Sequence, residues 1–197
     1  MPVFSDQIET WLKGKQPKTL ARLIQLSDDK SFAVVILFLM IVPALPLPTA
    51  GITHILEVIV ILLGLEMAAG RHTVWLPRRW QGLSLAMLAK GKVLPIVLKR
   101  VRWLEKRASP RGRFLFTLPL VDRGLGLVFV VLAMMAFISP PFSGLDTLPS
   151  LAAVIICLSI ILDDALLLLV GLLLGIAGAV VLATLGAAAL EGLQHFF

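Results

Sequence analysis

The chain has 197 residues, of which 58% are hydrophobic, and a formal net charge of +6. Soluble domains average about 45–50% apolar residues, and here the excess is gathered in long apolar runs, so lipid is the predicted solvent for much of the chain. The positive charge does not indicate nucleic acid as a partner, because the basic residues fall within 1–30 and 71–123, beside the apolar runs. This is the positive-inside pattern, with anionic lipid head groups as the expected partners.

No strand pattern is evident, and the apolar runs have the lengths of helices. We therefore predict an all-α integral membrane protein that forms one domain over residues 1–197. Its five predicted parts are an N-terminal amphipathic segment (1–30), a first hairpin (31–70), a basic amphipathic belt (71–121), a second hairpin (122–164) and a C-terminal transmembrane helix (165–197).

The first 30 residues predict one or two short amphipathic helices. Ile8, Trp11 and Leu12 share one face at helical spacing, and lysines lie on the other side. Such a segment is expected on the cytoplasmic surface of the bilayer. A poorly ordered terminus is the alternative.

The first hairpin begins with an apolar run over residues 31–45 and returns with a second run over 52–69. Fifteen helical residues reach roughly 22 Å, which is less than the roughly 30 Å hydrocarbon core. Proline ends a helix because it removes a backbone donor. The turn between the runs contains Pro43, Pro46, Pro48 and Gly51. Two interpretations stay open: a thin transmembrane hairpin, or a re-entrant hairpin whose tip stops inside the bilayer.

The second hairpin repeats this layout, with apolar runs over 124–138 and 147–162 around a proline–glycine turn. The repetition predicts a duplicated helical hairpin, an arrangement typical of membrane transport proteins with a site between the halves. A shift of 93 residues aligns Asp29-Lys30 with Asp122-Arg123, Pro48 with Pro141, Gly51 with Gly144, and Leu65 with Leu158.

The belt between the hairpins contains one apolar stretch, residues 83–98, that is interrupted by Lys90 and Lys92. A lysine at the bilayer centre costs about 2.5–3.5 kcal/mol, so an in-plane amphipathic helix is favoured over a span. The N-terminus and the belt are then cytoplasmic and both proline turns point outward. If residues 83–98 span the membrane instead, the two halves become an inverted repeat.

Residues 165–187 form the one segment long enough to span a bilayer unaided. Small residues recur every four positions on one face of this Gly/Ala-rich helix, which permits close helix contact. This face predicts packing inside the bundle or in a homo- or hetero-oligomer, through Gly171, Gly175, Ala179 and Ala183.

The candidate binding residues cluster near the two predicted turns. His54 and Glu57, three residues apart, share a helix face next to Thr53, and an ionisable pair at membrane depth indicates a proton relay or a head-group site. Solvation at the outer interface is the alternative. Asp146 beside the second turn corresponds to Thr53 beside the first, and paired polar groups at the two tips predict a small symmetric site, with solvation of the tips as the alternative. Pro48 at the first turn is a further binding candidate.

The remaining charges are predicted to be mainly structural. Glu66 can pair with Arg71, which is also a binding candidate, and Asp163 and Asp164 can cap the last helix. In the 93-residue alignment Arg71 falls opposite Asp164, which suggests a cross-repeat salt bridge. No catalytic constellation, metal-ligand spacing or phosphate loop occurs, so the sequence predicts neither an enzyme nor a cofactor. An intramembrane enzyme is the third alternative, and the His54–Glu57 pair is its only support.

Three motifs give the chain a family resemblance: the turn LPLPTAG at residues 45–51, the segment GLEMAAGRHTVWLPRRW, and the second turn FISPPFSG. With the acidic pair before the last helix, they resemble the exopolysaccharide synthesis protein ExoD family over about residues 20–190. The family turn commonly runs P-L-P-G, whereas Thr49 follows Pro48 here, Glu66 replaces a common Gln, and the second turn is not a clean LPLP.

The resemblance implies a bacterial inner-membrane protein linked to exopolysaccharide production. The expected activity is to bind or move a lipid between the hairpin tips, either an anionic phospholipid or a polyprenyl-phosphate-linked intermediate. The alternative is a scaffold or regulatory subunit of a polysaccharide assembly, which would use its apolar outer face.

Overall fold

The computed structural model describes residues 9–11, 14, 19, 24, 30–45, 52–71, 73–75, 99, 102–103, 112–139 and 144–194, with side chains as far as 185. Within these residues the regular elements are all helices, which confirms the predicted helical class. They are α1 (Ser31–Met40), α2 (Ile52–Ala68), a 3-10 turn (Leu115–Thr117), α3 (Pro119–Ile138), α4 (Thr147–Leu162) and α5 (Ala165–Gln194).

Neighbouring helices run antiparallel. A Cβ placed on Gly126, near the start of α3, would meet Ala68 at the end of α2, while Phe137 near the end of α3 touches His54 at the start of α2. Lys30 before α1 likewise reaches the last turn of α4. The bundle therefore has two ends: the tip end, where α1 and α3 finish and α2 and α4 begin, and the base end opposite.

Helix α1 lies at the centre of the bundle, and all ten of its residues are buried. It packs against α2 and α4. Trp11 also covers it, with its ring edge-on to Phe38 at 6.3 Å and only 6% of the residue exposed. Trp11 thus packs against protein two turns along α1.

The α2–α3 contact, the most extensive in the bundle, depends on two glycines that bring the backbones together. A Cβ on Gly64 would lie 2.8 Å from the carbonyl oxygen of Gly126, and a Cβ on Gly126 would lie 2.5 Å from the amide nitrogen of Ala68. Such small-residue contacts are typical of helix pairs in membranes, where close backbone approach takes the place of the hydrophobic effect.

The glycines of α5 pack inside the chain. Gly171 lies against Ile156 of α4 and Gly175 against Leu132 of α3. Ala179 and Ala183, the other two members of the predicted stripe, are exposed. The face therefore divides into a buried glycine half and an exposed alanine half.

Most helix boundaries match the expectation: α4 has the predicted bounds, and α2 and α5 begin where predicted. The differences are in α1, which ends at Met40 and continues as turns to Leu45, and in α3, which begins five residues before the expected Gly124. Proline is favoured in the first helical turn, where its missing N–H would have no partner. Pro119, after the extended Leu118, therefore starts α3 early.

Several predictions fall on residues outside those described. These are the turn positions Pro48 and Gly51, the proline turn at 140–143, the stretch 83–98, and nearly all of the N-terminal segment and the belt.

Candidate functional site

The tip end gathers the polar residues that the sequence places near the two turns. Helix α2 begins at Ile52, so Thr53, His54 and Glu57 lie in its first two turns. Asp146 is the N-cap residue of α4, and its side chain makes no capping hydrogen bond. The fold thus brings polar side chains from both hairpins to the same end of an otherwise apolar bundle.

His54 and Glu57 form a hydrogen-bonded pair one helical turn apart, with 2.9 Å between His54 Nδ1 and Glu57 Oε2. The Glu57 side chain is completely buried, whereas 33% of the His54 side chain is exposed. The pair therefore connects the interior of the bundle with its surface.

The second carboxylate oxygen of Glu57 is the unusual atom of this site. Within the described part of the chain, Glu57 Oε1 is buried and accepts no hydrogen bond. A buried polar atom without a partner costs about 1–3 kcal/mol, and more when it is charged. The Thr147 hydroxyl, next to Asp146, is buried and unpaired in the same sense.

Two further groups act on the pair. The Phe137 ring of α3 lies 5.3 Å from the His54 ring, centroid to centroid, with the ring planes inclined at 60°. The negative charge of Asp146 acts on the Glu57 carboxyl. Thr53, 4% exposed, is a further polar residue at this end. The site thus combines one buried acceptor, one half-exposed imidazole and a second carboxylate.

The described residues contain no group of three His, Cys, Asp or Glu side chains that could hold a metal ion. The side chains of His54, Glu57 and Asp146 at the tip end can form hydrogen bonds, exchange protons and recognise charge.

The base end is organised differently, beginning with a clasp between the two hairpins. Lys30 Nζ donates to the carbonyl oxygen of Ile161 and to Asp163 Oδ2, each at 2.9 Å. Asp163 itself has a left-handed backbone, with φ of 54°. A lysine there satisfies a carbonyl in the last turn of α4 and interacts favourably with the helix dipole.

The end of α2 has a similar arrangement. Gly70 has φ of 79°, and its Cα faces the guanidinium of Arg123, which lies 2.9 Å from where a Cβ would stand. Glu66 pairs with Arg71 at 3.5 Å and accepts a hydrogen bond from the Trp75 amide at 3.0 Å. The predicted Glu66–Arg71 pair is thus present.

Asp164 caps α5, as its place before the helix suggests. Its Oδ1 accepts a hydrogen bond of 2.9 Å from the Leu166 amide, and only 3% of the residue is exposed. Arg71 pairs with Glu66. The suggested cross-repeat salt bridge between Arg71 and Asp164 stays a prediction.

Sequence reasoning found the His54–Glu57 pair because i, i+3 spacing on a helix is local. It missed Phe137, which is one apolar residue among many in α3, and it missed the Lys30 clasp. No local pattern indicates the clasp, because Lys30 and Asp163 lie 133 residues apart.

Comparison with known proteins gives consistent results. The family model described as exopolysaccharide synthesis, ExoD, matches residues 4–184. Protein ExoD of Rhizobium meliloti (strain 1021) is 30% identical over 188 residues, covering 91% of this chain and 76% of that protein. The uncharacterized protein slr1875 of Synechocystis sp. (strain ATCC 27184 / PCC 6803 / Kazusa) is 26% identical over 157 residues, covering 80% of this chain and 73% of that protein. No solved structure matches.

Proposed function

Since the chain belongs to the ExoD family, which is linked to exopolysaccharide synthesis, we propose that it works as a multi-pass protein of the bacterial inner membrane. In this proposal it binds or translocates a lipid or a lipid-linked intermediate between the tips of two hairpins. It acts without covalent chemistry.

Membrane placement is supported by two helices that are long and apolar enough to cross a bilayer, Pro119–Ile138 and Ala165–Leu185. Only 33% of the apolar stretch of the first helix and 22% of that of the second are buried in the protein, whereas the core helix of a soluble protein would be mostly covered. Large apolar side chains on both helices are exposed, which suits lipid. They include Leu127, Val131, Met134, Leu169, Leu173, Ile176 and Val180.

A duplicated hairpin is supported by equivalent contacts at the base. Residues 93 apart correspond, so the contact of Lys30 with Asp163 has its counterpart in the contact of Arg123 with Gly70. Asp163 and Gly70 also share the left-handed conformation. The packing of α1 on α4 is matched in the same way by α2 on α3.

One observation carries the lipid-handling proposal: a fully buried carboxylate, Glu57, has an unpaired oxygen where the two hairpins meet. Stability does not explain such a group, because it costs free energy. A ligand or a functional equilibrium that uses the group does explain it. At the base end, Arg71 and Arg123 are exposed beside the exposed Trp75, a cationic surface that suits the head groups of the surrounding membrane lipids.

A scaffold role is the second candidate, and the exposed alanine half of α5 favours it. Ala179 and Ala183 lie among exposed Ile176, Val180 and Leu185. This surface is small and apolar enough to accept a helix from a second copy or from another subunit.

The test is native mass spectrometry of the gently purified full chain, comparing wild type, Glu57→Gln and a matched control, Glu66→Gln. The two substitutions make the same chemical change in the same helix, but Glu66 is paired at the base whereas Glu57 is buried at the tip. We expect wild type and Glu66→Gln to retain the same phospholipid or polyprenyl phosphate, and Glu57→Gln to lose it.

If wild type carries no specific lipid, or if Glu57→Gln keeps it, the tip is not a lipid site. The scaffold role then takes precedence, and substitutions such as Ala179→Leu and Ala183→Leu should disrupt the assembly.

A further inference from the structure

The lipid-handling proposal leaves the relation between His54 and Glu57 unexplained. Glu57 is completely buried, so a head group cannot touch it until the tip opens. His54 is one-third exposed and hydrogen-bonded to Glu57, so one small ligand can already reach the carboxylate through it. That ligand is a proton.

We propose that His54 and Glu57 form a proton-transfer unit, in which the buried carboxylate takes up a proton from water through the imidazole. This deepens the proposed function and rests on it for its biological purpose. The geometry alone supports the transfer, because an imidazole and a carboxylate at 2.9 Å are within direct proton-transfer distance.

The transfer balances without any further reactant. Neutral His54 donates its Nδ1 proton to Glu57 Oε2 while its other ring nitrogen, Nε2, accepts a proton from a hydronium ion. The products are a neutral carboxylic acid, a neutral imidazole in the other tautomer and one water molecule. A buried acid is less costly than a buried carboxylate, because desolvation penalises the charged form.

The surroundings favour a change of charge at this one position. Among the described elements packed against α2, α1 carries no charged residue, and the charged residues of α3, Asp122 and Arg123, lie at the base. Asp146 of α4 is the charged group that acts on Glu57 from another element, and it repels a second negative charge. Protonation of Glu57 removes that repulsion.

For the proposed function, this gives the tip two states. The ionised carboxylate of Glu57 adds a second negative charge beside Asp146, whereas the protonated carboxyl carries an O–H that donates a hydrogen bond. Glu57→Gln cannot change between these two states, so lipid handling that needs the change depends on the glutamate itself.

The experiment is infrared difference spectroscopy of the full chain reconstituted in vesicles of neutral lipid, which follows the C=O band of protonated carboxylic acids. Labelling glutamate with the heavy carbon isotope shifts glutamate bands and leaves aspartate bands in place, so the labelled wild-type protein shows whether a glutamic acid contributes a band. We expect one band from a buried glutamic acid at acidic pH, absent from Glu57→Gln and kept in Glu66→Gln.

The role of His54 is tested by a pH jump. His54→Asn keeps a hydrogen-bonding side chain, but an amide does not relay protons as an imidazole does. We expect the Glu57 band to form on the order of 100-fold more slowly than in wild type, the lower end of what a positioned proton-transfer group contributes. His54→Lys, which restores a titratable group, should recover part of the rate.

A wild-type spectrum without a glutamic acid band, or a band that persists in Glu57→Gln, overturns the proposal. So does an unchanged rate in His54→Asn. These outcomes are separate from the lipid test, because the spectra need no bound lipid. Retention of lipid with no proton band would refute only the proton-transfer unit, and a proton band without lipid would refute only lipid handling.

Discussion

The tip and the base of this bundle treat their charges in opposite ways. At the base, Asp163 is held by Lys30, Glu66 by Arg71 and the Trp75 amide, and Asp164 by the Leu166 amide. At the tip, a fully buried Glu57 leaves one oxygen without a partner. Satisfied charges fix helix ends, whereas an unsatisfied buried charge stores free energy that a ligand or a proton can release. This contrast is the reason for proposing the tip as the functional end and the base as the structural one.

The α2–α3 contact shows the same contrast and gives the largest expected effect. The helices touch backbone to backbone at Gly126 near the base, but they meet through the rings of His54 and Phe137 at the tip. Gly126→Ala should lower the free energy of unfolding by about 2 kcal/mol, because overpacking forces the helices apart. Unfolding in detergent followed by circular dichroism measures this.

Gly124, two residues earlier on the same helix, is the matched control, since a Cβ there meets nothing within 4 Å. Gly124→Ala should be neutral or stabilising by up to about 1 kcal/mol, because alanine is the better helix former. Equal losses in both variants would mean that the close contact is not what joins α2 and α3.

The two N-cap aspartates come next. Asp164 at the base accepts a hydrogen bond from the Leu166 amide, whereas Asp146 at the tip makes no capping bond. Asp164→Ala should therefore cost about 1 kcal/mol of unfolding free energy, and Asp146→Ala less than about half of that. Thermal unfolding of the two variants side by side tests the contrast. A larger loss of unfolding free energy in Asp146→Ala than in Asp164→Ala would contradict this prediction.

The Lys30 clasp should have a smaller effect. Lys30→Met removes both the ion pair and the bond to the Ile161 carbonyl, but the side chains are 38% and 25% exposed, so the expected loss is about 0.5 kcal/mol. Lys30→Arg should retain most of the stability. If the loss is equally large in high salt, the carbonyl bond rather than the ion pair is the important contact.

Glu57→Gln should change stability least, within about 0.5 kcal/mol or in the stabilising direction, because it removes a desolvated charge and keeps the shape of the side chain. The same variant is expected to abolish lipid retention and the proton signal. Chemical unfolding of Glu57→Gln beside wild type measures this. A loss of several kcal/mol would make Glu57 a structural residue and erase the distinction between tip and base.

Much of the fold was predictable from local patterns. The bounds of α4 and the starts of α2 and α5 follow from turn residues and acidic caps next to long apolar runs. The length of α1 did not follow, because hydropathy shows no difference between the helix to Met40 and the turns after it. The early start of α3 depends on Pro119, a single residue outside the apolar run.

The candidate site was predictable only in its local half. His54 and Glu57 share a helix, so spacing alone suggests their pairing. The burial of Glu57 and the contact with Phe137 are consequences of how α2 packs on α3, and no local pattern encodes them. The close contact of Gly64 and Gly126 was not predictable for the same reason, since neither glycine belongs to an evenly spaced stripe such as that of α5.

The clasp of Lys30 on Asp163 has a consequence for biosynthesis. It joins residues 133 positions apart, and α1, which it anchors, is the first of the described helices to leave the ribosome. Part of the burial of α1 comes from α4, which is synthesised more than a hundred residues later. Contacts of such long range form late, since the intervening chain must be ordered first. The most buried of the described helices must therefore wait, incompletely covered, until the second hairpin arrives.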